Sequence, residues 1–459
     1  MPAPLIFLFC LLPASAEAHG FGRTYTLPVP FWLYAWGCLG ALLLSFVAVA
    51  WQAGRQVAIP PAATAMAPET SHTPGWQAVG LALLLLTLAT ALLGHADPYR
   101  NLSMTLFWVI FLLAGPWLAA LFGDGYARLN PWRTLVDLLG AERWGDGRVH
   151  WPETRGPWPA VMLCLALQAI ELFGHGGPRG LGLLLLAYTL ITCTGVWLLG
   201  RTAWFRDGDL FGILFRWMAT LRPAWQEHRL RWPSATPPAS NASLGLLLVL
   251  LAGTAYDSLR DTVPWVQLFW ADRTGLLTAW LGSAPVHHYA LLRPWYTLWE
   301  WLWLLLSPLV LLGLLLACLA TARRLAGSRD SLHELARHHA PSLLPVALAY
   351  QVAHYGSLVT GQGPRLLALL SDPFGRGWNL LGTAGWFAGP RLPDMTWLWH
   401  GQVIVLLAGH VLGVVLSHRL AVQRFGAAGA WRAELPLLGL MMALTVGGLW
   451  LLSQPLTAG

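Results

Sequence analysis

The chain contains no lysine, so all 28 of its basic residues are arginine. Charge of either sign is scarce. Only 11% of the 459 residues are charged, against about 25% in an ordinary soluble domain. This excludes a water-soluble globular enzyme and a disordered chain. Cysteine is sparse and unpaired: Cys10, Cys38, Cys164, Cys193 and Cys318 all fall inside apolar runs, and none forms a CxxC pair. No disulfide framework, zinc site or iron–sulfur site can be read from that spacing, and the five read as small apolar packing residues. Soluble-type catalytic signatures are also missing. There is no GxSxG, no HExxH, no Walker loop and no GxGxxG behind a strand.

What fills the chain instead is hydrocarbon. Hydrophobic residues make up 56% of it, and leucine-rich runs near span length recur from Val29 to Ser453. Lipid is the solvent such runs require. The net charge of +7 alone hints at an anionic partner. The arginines, however, sit in short loops between apolar runs, where arginine sets membrane topology, so a nucleic-acid partner is excluded. The chain reads as an all-α polytopic integral membrane protein with about ten transmembrane helices behind a signal peptide.

The segment Leu5–Leu12 is apolar but too short to span a bilayer, and Ala16-Glu17-Ala18 follows it as an A-x-A cleavage pattern. Residues 1–18 therefore read as a signal peptide, with 19–459 as a single transmembrane domain. Cleavage after Ala18 leaves His19 at the N-terminus. Its free α-amine and imidazole form a chelating pair that suits copper. The start so produced resembles the histidine brace of copper monooxygenases and periplasmic copper carriers.

Spans are expected near 29–51, 76–94, 103–123, 158–175, 180–199, 244–258, 295–320, 340–360, 397–417 and 434–453. Segment 262–281, rich in Trp and Leu but interrupted, reads as an interfacial amphipathic helix. With the N-terminus outside, the inside loops 52–75, 124–157, 200–243, 321–339 and 418–433 carry 19 of the 28 arginines. This is the positive-inside bias, and it leaves both mature termini outside the bacterial inner (cytoplasmic) membrane.

Ionisable residues inside spans are costly and are functional candidates by default. Glu171 and His175 close the fourth span four residues apart, on one helix face, where they also suit pairing with each other. Asp257 lies at the outer end of the sixth and Glu300 near the outer end of the seventh. His354 lies in the outer third of the eighth among Tyr350, Gln351 and Tyr355, and His400 and His410 lie in the ninth. The outer loops add His95, Asp97, His287, His288, Asp372 and Asp394. The inside loops carry His333, His338, His339 and His418 amid arginines, and these read as a solvated cationic face. Histidines on two spans also leave haem ligation open.

Six stretches carry a family resemblance: HGFGRTYTLPVPFWLY at 19–34, the loops with Asp97-Pro98 and Asn130-Pro131-Trp132, ALAYQVAHYGSLVTGQG at 347–363, SDPFGRGWNLLGT at 371–383, and GQVIVLLAGHVLGVVLSHRLA at 401–421. On these the chain resembles bacterial multi-pass membrane proteins of the fenitrothion hydrolase type, which act on organophosphate triesters. The resemblance implies a membrane-embedded, metal-dependent hydrolase that takes an apolar substrate from the bilayer. Combined with the residues, it gives His19, His175, His354 and His410 as ligands of a divalent metal ion, copper being one candidate. Glu171, Asp257 and Glu300 become ligand or general base. Two other classes stay open: a copper-handling or transport protein, and a haem-bearing electron-transfer protein. A partner subunit is compatible with all three.

Overall fold

A computed structural model describes residues 27–53, 74–174, 176–226, 229–231, 240–387 and 394–454. Residues 1–18, read above as a signal peptide, and His19 and His175 lie outside these residues. Among the described residues nine long helices carry the fold: α1 (Phe31–Ala53), α2 (Pro74–Leu93), α3 (Leu102–Phe122), α4 (Trp158–Phe173), α5 (Pro178–Leu199), α6 (Asn241–Arg260), α7 (Tyr289–Ala326), α8 (Leu344–Gln362) and α9 (Met395–Ser453). All but α8 are long and apolar enough to cross a membrane, α4 counting the turn of 3-10 helix that precedes it. The protein is a helical membrane protein. The only sheet among the described residues is a small antiparallel ribbon, Ala224–Gln226 paired with Arg229–Arg231. The four described cysteines are free thiols.

Segment 262–281 is not one helix. Thr262 caps Val263–Trp270, and a second short helix runs Leu276–Leu281. Between them Asp272 and Gly275 take positive φ of 38° and 68°. The Asp272 carboxylate then accepts from the Thr278 backbone N–H at 2.6 Å, which ties the break closed. Periodicity shows the apolar face but not this reversal.

The helices fall into two compact units. One holds the described residues of Ala58–Leu246 and Tyr355–Asp394, the other those of Glu17–Val57, Leu247–His354 and Met395–Gly459. In the first unit α2 crosses the chain at Gly80 so closely that a Cβ there would lie 1.7 Å from the Leu129 carbonyl oxygen. The middle of α3, Thr105–Ala114, is wound as a π-helix, with the Gly115 N–H bonded to the Ile110 carbonyl five residues back. Pro116 follows, which has no N–H for the regular ladder, and a widened turn accommodates it. The polar centre of this unit is Asp209. It accepts from Asn130 Nδ2 and from the Tyr188 hydroxyl, each at 2.7 Å, while the Asn130 side-chain oxygen caps the helix Pro131–Leu138.

The second unit turns on Gly426, whose φ of 70° and ψ of 164° break α9 into two limbs. His418 and Glu434 hydrogen-bond across the break although sixteen residues apart. A straight helix would separate them by about 24 Å. A Cβ on Gly413 would face Met441, and one on Gly448 would face Leu406. These partners recede symmetrically from Gly426, so the limbs run antiparallel. Gly409 and Gly413 form a small-xxx-small pair against α8. A Cβ on Gly409 would come within 2.1 Å of the Ala349 Cβ, and one on Gly413 within 3.0 Å of the Ser342 carbonyl oxygen. Such pairs let membrane helices approach closely enough for dispersion to hold them, since lipid supplies no hydrophobic drive between helices.

Candidate functional site

The last turn of α6 presents Asp257 and Ser258, and α8 presents His354. The carboxylate of Asp257 lies 2.9 Å from His354 Nε2, and the Ser258 hydroxyl lies 2.9 Å from His354 Nδ1. Asp257 and Ser258 are each 3% exposed, while the His354 side chain keeps 16% of its surface open. A carboxylate only accepts, so Nε2 carries the proton in the neutral ring, and Nδ1 is left as the acceptor for the serine O–H. One turn back on α8, Tyr350 stacks on the imidazole with ring planes 1° apart and centroids 6.4 Å apart. Its buried hydroxyl lies beside Ser258.

Glu300 stands on α7. Arg260 approaches it at 3.7 Å and Asp261 at 3.5 Å, and Tyr256 donates to the Glu300 backbone carbonyl. Glu300 thus belongs to a charged cluster with Arg260, not to the Asp257–His354 pair. His400 sits at the start of α9, where Nδ1 donates to the Thr396 carbonyl and Nε2 meets the Tyr34 hydroxyl at 3.2 Å. In the first unit, Glu171 accepts from the Tyr355 hydroxyl at 3.1 Å. Several loop groups serve local turns: Asp97 caps Pro98–Arg100, His95 Nδ1 accepts from the Asp97 N–H, and Asp372 accepts from the Arg376 and Gly377 N–H groups.

The second unit also holds a half-open pocket of about 380 Å³ lined by α6, α7, α8 and both limbs of α9. Its wall is apolar, and His410 and Tyr350 are part of it. His410 is 1% exposed. Its Nδ1 lies 2.8 Å from the Leu406 carbonyl, and its Nε2 is buried without a hydrogen-bond partner.

The metal-ligand set finds no converging geometry. Among the described residues no three His, Cys, Asp or Glu side chains gather into a metal-binding group. Both His354 nitrogens are occupied, His410 stands alone, and His19 and His175 lie outside the described residues. Of the four expected ligands, the structure describes only His354 and His410, and these two do not converge.

Two histidines assigned to a solvated face are buried instead. His418 bonds to Glu434 on the opposite limb, and both are at most 2% exposed. His339, 2% exposed at the end of the helix Leu332–His339, stacks on Phe425, and neither ring nitrogen has a hydrogen-bond partner. Burial disfavours its charged form and pulls its pKa down to about 3. His338 does stay partly exposed, donating through Nε2 to the Leu420 carbonyl. Nearby Asp330 is held below the usual carboxylate range by its bidentate pairing with Arg424.

Sequence reasoning passed over Ser258 and Asp209. The only local signal for Ser258 is its place beside Asp257 at the end of an apolar run. Comparison of the chain with protein-family models, with curated proteins and with solved structures finds no match in any of the three.

Proposed function

We propose that the protein is a membrane-embedded hydrolase of apolar esters, organophosphate triesters among them, working through Ser258, His354 and Asp257. The observation that supports this most directly is the unbroken hydrogen-bond chain from the Ser258 hydroxyl through both imidazole nitrogens to the Asp257 carboxylate. Nucleophile, base and orienting carboxylate are defined by their contacts, not by their order in the chain. Asp257 fixes the imidazole tautomer. His354 takes the serine proton as Oγ attacks the carbonyl or phosphoryl centre, and returns it to the departing alkoxide or phenolate. Water then releases the acyl or phosphoryl group from Ser258 with His354 again as base. The backbone N–H groups around Ser258 are committed to α6, so the donor to the developing oxyanion is a side chain, and the Tyr350 hydroxyl is placed for it. No step is routed through a metal.

An apolar ester concentrates in the bilayer, which suits a site at the end of spanning helices. Counting α8 and the two limbs of α9 separately gives ten crossings. The arginine distribution then puts the α6 and α8 ends that carry Asp257 and His354 on the outer face of the inner membrane.

The test is turnover of a 4-nitrophenyl ester and an aryl phosphotriester by protein in nanodiscs, with a fluorophosphonate label mapped by mass spectrometry. Ser258→Ala and His354→Ala should each lower turnover by about a thousandfold or more, and the label should sit on Ser258. Turnover that survives both substitutions, or labelling elsewhere, would remove the assignment.

A further inference from the structure

We infer that the half-open pocket of the second unit is a slot that holds one acyl chain of a bilayer phospholipid. The slot has this role whether or not Ser258 is a nucleophile. Its long axis follows the helices. α6 lines it from Leu251 to Leu259, the second limb of α9 from Ala443 to Leu451, and α7 from Trp303 to Leu314. At 1.5 Å of rise per residue these stretches are about 12, 12 and 16 Å long. One leaflet contributes about 15 Å of hydrocarbon, so the slot matches a single leaflet in length and runs the way its chains run.

The mouth of the slot opens on lipid. Val310 and Leu314, both in its lining, are each 50% exposed, and they continue the outward-facing row Leu302, Leu305 and Leu309 of α7. On a spanning helix such a row is the lipid-facing surface. Ala443 on the second limb of α9 is likewise both exposed and part of the lining. Whatever enters must be wholly apolar. The Tyr256 hydroxyl donates to the Glu300 carbonyl, Ser307 Oγ donates to the Leu304 carbonyl, and the Tyr350 hydroxyl lies beside Ser258. His410 Nε2 and Trp265 Nε1 are sealed within the packing, out of an occupant's reach. A buried water needs two to four polar partners, which this lining does not offer. Lipid supplies no hydrophobic drive between apolar surfaces, so a chain is held by dispersion alone. A slot touches it on several sides and a flat helix face on one, so the chain in the slot exchanges more slowly than its neighbours. Gly447 keeps the space clear, since a Cβ there would meet no atom within 4 Å.

Photo-crosslinking tests this. Protein in nanodiscs doped with a phosphatidylcholine that carries a diazirine halfway along one acyl chain is irradiated, and the adducts are mapped by mass spectrometry. Val310, Leu314, Leu444 and Gly447 should label about fivefold more heavily than Leu44 on α1 and Leu305 on α7, which are exposed but outside the slot. Gly447→Trp, whose indole fills the slot, should abolish the excess and leave labelling at Leu44 and Leu305 unchanged. Should that variant not fold, Ala443→Phe narrows the same slot from its exposed rim and carries the same expectation. Labelling spread evenly over all these positions, or an excess that survives the substitutions, would overturn the inference. So would displacement of the probe from the slot by free palmitate but not by unlabelled phosphatidylcholine, since the occupant would then be a fatty acid.

Discussion

Asp209 in the first unit and His410 in the second are both buried polar side chains at 1% exposure, yet their surroundings differ. Each Asp209 oxygen has a donor at 2.7 Å, one from Asn130 and one from Tyr188. His410 has one nitrogen satisfied by its own helix and the other sealed in the interior without a hydrogen-bond partner. A polar group whose valences are all filled by the protein fixes architecture. One left with an unfilled valence in the interior costs stability instead. Burial and charge, the two properties a sequence suggests, do not separate these cases; completeness of hydrogen bonding does.

The contrast can be broken or sharpened by substitution. The largest effect is expected in the closed network. Asp209→Ala strands the Asn130 amide and the Tyr188 hydroxyl in the core and should cost about 3 kcal/mol of stability, measured by thermal denaturation in detergent. A loss below about 1 kcal/mol would mean that water reaches the network. His339 should show an intermediate effect that depends on pH. Its folded pKa of about 3 lies below the ordinary histidine value of 6.5, so the unfolded chain binds a proton that the folded one refuses. Stability should be full above pH 6.5 and fall as pH drops towards 3, by about 1.4 kcal/mol for each unit once below 6.5. His339→Phe should flatten that slope in denaturation series between pH 7.5 and 5; an unchanged slope would assign it to another group. The smallest effect is expected at the open valence. His410→Leu removes an unpaired polar atom from an apolar wall and should leave stability within about 1 kcal/mol of wild type, on the stabilising side. A large loss there would mean that His410 holds the fold as Asp209 does.

Much of the architecture is legible along the chain because lipid imposes a length on every apolar run. The limbs on either side of Gly426 are an example. Arg419, Arg424 and Arg432 interrupt the hydrophobicity there, and the structure reverses within that interval. The pairing of side chains between helices is far less legible. Asp257 and His354 are 97 positions apart, and nothing in their local patterns says that α6 and α8 meet at that level. Each is visible alone as a costly residue in an apolar run. Their union, and the inclusion of Ser258, depends on helix packing. His418 fails for the same reason in reverse: its neighbours in sequence are charged, but its neighbour in space is Glu434 on the returning limb. Segment 262–281 fails because Asp272 adopts a backbone conformation that non-glycine residues rarely take.

The reversal at Gly426 also makes α9 a pair of tongs. His410 rides on one arm, Leu444 and Gly448 ride on the other, and all three line the pocket between them. The His418–Glu434 bond, eight residues from Gly426 on each arm, works as a clasp close to the pivot, where a small displacement is magnified further along the arms. Loosening that clasp would open the pocket from its far side without touching a single residue that lines it.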